Sequence, residues 1–423
     1  MSSAVKCLIV LAIVALLFIT ELIPLAITAM GGAIACGLLG FIPAQQVFSG
    51  LSDSTVVLFA GMFVVGAALF HTGLAQKIGI GIVKISGTKE SSLMFGIMVV
   101  SAALSSCLSN TGTAACLMPV VLGICAAAKI PASRQLMPLA YAAGIGGVIT
   151  MVGTPPNIIV SGVLTSFGYE SFSFFEFAWI GIPLTFVVIA YMMFIGKYLL
   201  PKAELDADQE IEQEIEATVT DSKKQIVSGL ILAVCIIVMA LDLKAISLEM
   251  TAIVGALVCV LTGCLTEKQA YSAIDWVTIF LFAGMMPVSA AMDKTGAGKL
   301  IAEWAVSLMG GSPTPIIMTS VLFIISCTVT QFMSNTAACA LLAPVGVAIS
   351  QQLGASPKAV LMAIGVAASC AFATPVGTPP CTLVLGPGGY KFMDYVKVGV
   401  PLVVLCFIVS IIVIPMVWPF CPG

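Results

Sequence analysis

Gly153-Thr154-Pro155-Pro156 interrupts a long apolar run, and Gly377-Thr378-Pro379-Pro380 interrupts a second one about half the chain later. Neither stretch can continue an α-helix, because proline lacks the N–H group that a helix needs and its ring clashes with the preceding turn. A helix broken in apolar surroundings frees backbone polar groups, which are tolerated only where they line a cavity or bind a ligand. One break could be a plain kink, but two breaks at matching positions indicate a binding site.

The spacing of the two breaks belongs to a repeat that runs along the whole chain. Five short motifs recur in the same order and at a nearly constant offset, among them Ser109-Asn110-Thr111, which returns as Ser334-Asn335-Thr336. The others besides the breaks are Thr28-Ala29 with Thr251-Ala252, Phe59-Ala60-Gly61-Met62 with Phe282-Ala283-Gly284-Met285, and Thr72-Gly73 with Thr295-Gly296. Ordered matches at a nearly constant offset predict a duplicated chain. We therefore predict a first repeat over residues 1–202, a polar linker over 203–224 and a second repeat over 225–423.

The composition of the chain indicates that both halves lie in a membrane. Of the 423 residues, 60% are hydrophobic and 9% are charged, and the mean hydropathy is +1.15. Soluble domains carry about 25% charged residues, so a soluble fold of this size could not cover its surface. The chain instead offers many apolar runs near the length of about 20 residues that a helix needs to cross a bilayer. The sequence predicts an all-α polytopic membrane protein, located in the inner or plasma membrane.

The basic residues predict how the helices cross the membrane, because short cytoplasmic loops are enriched in Lys and Arg. The segment that carries Ser109-Asn110-Thr111 is flanked by basic residues on both sides, namely Lys77, Lys84, Lys89, Lys129 and Arg134. Both ends of that segment are therefore predicted to face the cytoplasm, which makes it a re-entrant hairpin. Each half then contains five crossing helices plus one re-entrant hairpin, and the odd number of crossings inverts the second half. This topology puts the linker in the cytoplasm and both termini outside.

The Ser-Asn-Thr motifs and the helix breaks place polar groups, but no charged side chains, in apolar surroundings. The four segments that contain them, 91–128, 135–168, 312–350 and 359–390, have no Asp, Glu, Lys, Arg or His. Ser, Thr and Asn could serve only as contacts between helices, but recurrence of the same three residues in both halves favours a binding site. Hydroxyl groups and helix N-termini attract anions, and freed carbonyl and Asn oxygens suit a hard cation such as sodium. The pattern predicts a small anion bound with cations, and no proton relay.

With these motifs, the chain resembles the divalent anion–sodium symporter family, within the ion transporter superfamily. The resemblance rests on the paired Ser-Asn-Thr motifs, the paired Gly-Thr-Pro-Pro breaks and the stretch Thr20-Glu21-Leu22-Ile23-Pro24-Leu25-Ala26-Ile27-Thr28-Ala29, and it covers nearly the whole chain. It implies an elevator-type homodimer, in which a scaffold domain and a mobile transport domain are each assembled from both halves. It also implies that the substrates are di- or tricarboxylates, or sulfate in some branches.

The resemblance further implies which residues bind the ligands. Substrate contacts map to Ser109, Asn110, Thr111, Thr154, Ser334, Asn335, Thr336, Thr374, Pro375 and Thr378. One sodium ion maps to Ser105, Ser109, Asn110 and Gly153, and a second maps to Thr330, Met333, Asn335 and Ala373. Two departures from the family are expected. The usual extra N-terminal helix is missing, because the first apolar run already pairs with 225–241, and Cys381 stands where the first half has Asn157.

We predict a secondary transporter of small di- or tricarboxylate anions that is coupled to sodium. Two related alternatives stay open, a sodium-independent dicarboxylate exchanger and a transporter of another divalent anion such as sulfate. An enzyme would need a nucleophile, a metal or an acid–base pair in the apolar region, which the sequence does not offer, and a channel would not need two broken-helix sites. The predicted partners are the anion, sodium ions, lipid and a second copy of the chain, with no nucleic acid. His71, the single histidine, is predicted to be an interfacial residue at a helix end.

Overall fold

The computed structural model describes residues 2–86, 89–201, 222–241, 246–308 and 314–420, and in these ranges helices are the only regular secondary structure. In the first half they are α1 (Ser3–Thr20), α2 (Leu25–Leu38), α3 (Ser54–His71), α4 (Leu74–Ser86), α5 (Glu90–Ser105), α6 (Asn110–Ala128), α7 (Leu136–Gly146), α8 (Pro155–Ser166) and α9 (Ala178–Leu199). In the second half they are α10 (Ser222–Ala240), α11 (Leu248–Leu261), α12 (Glu267–Ala273), α13 (Trp276–Thr295), α14 (Ala297–Leu308), α15 (Pro315–Val329), α16 (Asn335–Gln352), α17 (Pro357–Ser369), α18 (Pro379–Leu385) and α19 (Phe392–Val417).

The lengths of the apolar helices make the chain a multi-pass membrane protein, as predicted. Among the described helices, seven are long and apolar enough to cross a membrane: α1, α3, α6, α9, α10, α13 and α19. Shorter apolar helices accompany them, namely α2, α5, α11, α15 and α17. Residues 203–221 of the predicted linker lie outside the described ranges, and its last three residues, Ser222–Lys224, form the first turn of α10.

Helices α5 and α6 are two packed helices joined by a short turn, so the chain reverses its direction between them. The two helices pack on each other and are joined by a turn at residues 106–109. Beyond α6, the Arg134 side chain donates from Nε to Oε1 of Glu90, at the start of α5, over 2.7 Å. The two ends of the segment therefore lie together, which is the arrangement that the hairpin prediction requires. With its 19 residues, α6 is nevertheless one of the helices long enough to cross a membrane.

Small residues let the two halves pack closely against each other. Helix α2 packs on α13, and α3 packs on α11. A Cβ atom on Gly61 would lie 2.7 Å from the carbonyl carbon of Ala252, and one on Gly284 would lie 2.6 Å from the carbonyl carbon of Ala29. Each contact joins the Phe-Ala-Gly-Met motif of one half to the Thr-Ala motif of the other. We call these two contacts the glycine–alanine interlock, and they are the close backbone approaches that small residues allow between membrane helices.

The helices around the breaks also come from both halves. Helix α5 packs on α7, α15 packs on α17, and α8 contacts both α16 and α17. The Tyr141 hydroxyl donates to the carbonyl oxygen of Phe372 over 2.7 Å, and the Tyr390 hydroxyl donates to that of Ser133 over 2.7 Å. In the described residues, therefore, the two halves are intertwined at both groups of helices.

Candidate functional site

The first helix break lies between α7 and α8. The chain passes through a 3₁₀ turn, Gly147–Ile149, and a short extended stretch, and α8 then begins with two prolines. The freed carbonyl groups find partners within the protein. The Asn157 amide donates from Nδ2 to the carbonyl oxygens of Gly147, Val148 and Thr150 over 3.4, 3.3 and 2.8 Å. The Thr150 hydroxyl in turn donates to the carbonyl oxygen of Ser106 in the hairpin turn.

The first Ser-Asn-Thr motif brings a group of oxygen atoms next to this break. Ser109 caps α6, and its hydroxyl accepts from the Gly112 N–H over 3.1 Å. Ser105 Oγ lies 2.7 Å from both Asn110 Oδ1 and the Ala143 carbonyl oxygen. The end of the Asn110 amide is also 3.1 Å from the carbonyl oxygens of Ala143 and Gly153. We call Ser105, Asn110, Ala143 and Gly153 the first oxygen cluster.

The amide of Asn110 can meet this cluster in two ways. With Oδ1 turned inward, it adds a further acceptor to a group of carbonyl oxygens, an arrangement that favours a cation at its centre. With Nδ2 turned inward, it donates to Ser105 Oγ, Ala143 O and Gly153 O over 2.7, 3.1 and 3.1 Å. Gly147 makes the close approach possible, because a Cβ atom there would collide with the Asn110 amide and would lie 2.8 Å from Gly153 O.

The second half repeats this geometry. Ser334 caps α16, and its hydroxyl accepts from the Ala337 N–H over 3.2 Å. Thr330 Oγ1 lies 2.7 Å from Asn335 Oδ1 and 2.8 Å from the carbonyl oxygen of Ala368. We call Thr330, Asn335 and Ala368 the second oxygen cluster. In the repeat, these three residues occupy the positions that Ser105, Asn110 and Ala143 occupy in the first half.

The Ser-Asn-Thr turns and the helix breaks converge on one cavity of about 470 Å³. Its wall includes eight of the ten predicted substrate residues, namely Ser109, Asn110, Thr111, Thr154, Ser334, Asn335, Thr336 and Thr378. Thr374 and Pro375 are not part of that wall. The Thr374 hydroxyl is used inside the protein instead, because it donates to Gln331 O over 2.6 Å and accepts from the Gly377 N–H over 3.2 Å.

The residues predicted to hold sodium fall into three positions. Four of them line the cavity, namely Ser109, Asn110, Gly153 and Asn335. Ser105 and Thr330 are fully buried behind it and contact the two asparagines. Met333 is buried, and Ala373 donates its N–H to Gln331 Oε1 over 3.0 Å.

Asp275 and His71, which belong to none of the sequence motifs, line the same cavity. Asp275 precedes α13, where its carboxylate accepts from the N–H groups of Val277 and Thr278 over 3.1 and 3.2 Å. His71 is the last residue of α3, which confirms its predicted place at a helix end, and it too lines the cavity. Both lie outside the four uncharged segments. The one sequence signal for them is that each flanks a helix carrying the Phe-Ala-Gly-Met motif. Among the described residues, no Lys or Arg belongs to this wall.

The chain is similar to known transporters over nearly its whole length. A family model described as "Citrate transporter" matches twice, over residues 15–245 and 233–420. An uncharacterized transporter of Haemophilus influenzae is 31% identical, over 96% of this chain and 90% of that protein. The uncharacterized transporter YfbS of Escherichia coli is 26% identical, over 97% and 98% of the two chains. The sodium-dependent dicarboxylate transporter SdcS of Staphylococcus aureus is also 26% identical, over 96% and 84%.

Two solved structures have a similar fold. The YdaH transporter of Alcanivorax borkumensis superimposes with a TM-score of 0.65 at 17% identity, covering all of both chains. MtrF of Neisseria gonorrhoeae superimposes with a TM-score of 0.58 at 15% identity, covering 89% of this chain and 84% of that one. At these identities the likeness shows a shared fold.

Proposed function

Because the chain belongs to the citrate transporter family, we propose that it is a secondary transporter of small di- and tricarboxylate anions, driven by sodium ions that move with the substrate. Family membership makes it a transporter rather than an enzyme and agrees with the resemblance to the divalent anion–sodium symporters. The name of the SdcS relative, a sodium-dependent dicarboxylate transporter, supports both the substrate class and the coupling ion.

The observation that carries the proposal is a cavity wall that carries hydroxyl and amide groups but, among the described residues, no Lys or Arg. A buried dianion needs compensating charge, because uncompensated burial costs several kcal/mol per charge. The N-termini of α6 and α16 meet at the cavity, and a helix N-terminus supplies roughly half a positive charge. Two N-termini therefore leave a deficit of about one charge, and the Asp275 carboxylate in the same wall adds to it. Bound cations are the simplest way to supply it.

The two oxygen clusters are suitable places for those cations. Hard cations take carbonyl, amide and hydroxyl oxygens as ligands, and each cluster offers all three kinds when its Asn side chain turns Oδ1 inward. Asn110 and Asn335 belong to a cluster and also line the cavity, so each can contact both a cation and the anion. Occupation of the clusters would thus complete the anion site, which couples the two ligands.

The same cavity argues against sodium-independent exchange. An exchanger could replace sodium by a lysine from outside the four uncharged segments, and Lys294 and Lys391 are the two candidates. Neither of them belongs to the cavity wall. Lys294 is directed elsewhere, since its Nζ donates to Gln46 Oε1 over 2.7 Å.

The proposal extends to assembly and movement. We expect a homodimer in the inner or plasma membrane, with an elevator mechanism in which the helices around the breaks carry the ligands past a scaffold. The intertwined helices support this division, because α2, α3, α11 and α13 pack together through the glycine–alanine interlock while α5–α8 and α15–α17 surround the clusters. In this proposal, residues 1–202 and 225–423 are the two sequence repeats, and the scaffold domain and the transport domain each contain helices from both repeats.

Transport in proteoliposomes tests the proposal. Purified protein is reconstituted, and uptake of labelled succinate and citrate is measured with an inward sodium gradient and with choline in place of sodium, alongside competition by malate and sulfate. We expect uptake that requires sodium and is blocked by unlabelled dicarboxylates. Equal flux in choline would reject sodium coupling and favour exchange, and block by sulfate alone would reject the carboxylate assignment.

A further inference from the structure

The two oxygen clusters are alike, but the amide side chains that support the helix breaks beside them are not. In the first half, Asn157 donates to three carbonyl oxygens of the break. The equivalent position of the second half, directly after its own Gly-Thr-Pro-Pro stretch, is Cys381, which has no amide group. The second break therefore needs its donors from a different residue.

Gln331 supplies those donors from the second hairpin turn. Its side chain is buried, with 8% of the residue exposed. Its Nε2 donates to the carbonyl oxygens of Cys327 and Cys370 over 2.9 and 3.2 Å, and its Oε1 accepts from the Ala373 N–H over 3.0 Å. One amide thus joins the end of α15 to both sides of the break that follows α17.

The first half has no counterpart of this side chain. The position equivalent to Gln331 is Ser106, since each directly follows the cluster hydroxyl of its half, and the Ser106 hydroxyl donates to Ala103 O within its own helix over 2.8 Å. The backbone contact at the same position is shared, because the carbonyl oxygens of Ser106 and Gln331 accept from Thr150 and Thr374 respectively. The two halves therefore share the backbone contact, but the amide that supports the break comes from Asn157 in the first half and from Gln331 in the second.

We propose that Gln331 is a positioning residue that sets the sodium affinity of the second oxygen cluster, and that Asn157 has the corresponding role at the first. This inference rests on the sodium coupling proposed above. Gln331 does not line the cavity, so it acts through the residues that it holds, above all Ala373, which the resemblance places with Thr330 and Asn335 among the ligands of the second sodium ion. When a residue that hydrogen-bonds to a metal ligand and orients it is removed, the metal affinity typically falls by about 10- to 100-fold.

The test replaces Gln331 by Met, which keeps the size of the side chain and removes every hydrogen bond of its amide group. Succinate uptake into proteoliposomes is measured against sodium concentration. We expect the half-saturating sodium concentration to rise about tenfold or more, while the maximal rate at saturating sodium changes by less than about threefold and the succinate KM there is unchanged. Gln351→Met is the matched control, because Gln351 is exposed and its Nε2 donates only to the Tyr169 hydroxyl, over 3.2 Å.

A rescue variant separates positioning from general stability. Adding Cys381→Asn to Gln331→Met places an amide where the first half has Asn157, so it should restore part of the lost sodium affinity. If Gln331→Met fails to fold, as judged by gel filtration and thermal unfolding, Gln331→Ser takes its place, since it removes the amide and puts there the residue that Ser106 provides in the first half. For that variant too we expect a raised half-saturating sodium concentration.

The outcomes distinguish this inference from the function on which it rests. If uptake by the wild-type protein does not depend on sodium, both the proposed sodium coupling and the positioning role of Gln331 are rejected. A wild-type protein that responds to sodium, with Gln331 variants that respond identically, would overturn the positioning role alone. Loss of maximal rate with an unchanged half-saturating sodium concentration would also overturn it.

Discussion

Asn110 and Asn335 each occupy the first position of a helix and belong to an oxygen cluster that borders the cavity. A side chain in that position can contact a cation on one side and an anion on the other. We expect Asn110→Ala and Asn335→Ala each to lower sodium-driven succinate uptake by about 100-fold or more, since removal of supporting residues alone costs up to that factor. Gel filtration should show the same folded oligomer as the wild type. Full uptake by either variant would reject the assignment of its cluster.

Gly147 offers a second test of the first cluster that leaves every ligand in place. A Cβ atom there would collide with the Asn110 amide and come within 2.8 Å of Gly153 O. Gly147→Ala should therefore spread the cluster and raise the half-saturating sodium concentration by about tenfold. Gly31→Ala is its control, because a Cβ atom on Gly31 meets nothing within 4 Å. A normal sodium response in Gly147→Ala would contradict the geometry of the cluster.

Helices are held together in this molecule by their smallest residues. In the glycine–alanine interlock, α3 meets α11 at Gly61 and α13 meets α2 at Gly284. We expect Gly61→Val and Gly284→Val to destabilise the protein by about 1–3 kcal/mol each, the cost of overpacking a close contact. Thermal unfolding in detergent measures the change, with Gly31→Val on α2 as the matched control. Unfolding temperatures equal to that of the control would contradict the close packing at Gly61 and Gly284.

Topology is a property of the whole molecule, and it can be tested without a substrate. The basic residues predict a cytoplasmic linker and an external segment at 166–176. A cysteine introduced at Ala207 should react with a membrane-impermeant maleimide only after the cells are permeabilised. A cysteine at Ser173, which is exposed, should react in intact cells. The reverse pattern would invert the predicted orientation.

The sequence motifs predicted local backbone features of the molecule, but not the contacts between residues that are far apart in the chain. The Gly-Thr-Pro-Pro stretches located both helix breaks, because the lack of an N–H in proline acts on the backbone where it stands. The family resemblance assigned Thr374 to the substrate site, and the structure adds that its hydroxyl donates to Gln331 O. The motifs did not place Asp275 or His71 at the cavity, which these residues reach from the start of α13 and the end of α3. Such contacts join residues far apart in the chain, and no local pattern in the sequence encodes them.

The glycine–alanine interlock also has a consequence for synthesis on the ribosome. Gly61 and Ala29 emerge early, but their partners Ala252 and Gly284 follow only after more than half of the chain has been made. Translation adds about 5–20 residues per second, so the delay between Gly61 and its partner Ala252 is roughly 10 to 40 s. During that interval the first half lies in the membrane with two narrow, uncovered surfaces. A chain that ends before Ala252 therefore lacks both of the partners that the first half needs for the interlock.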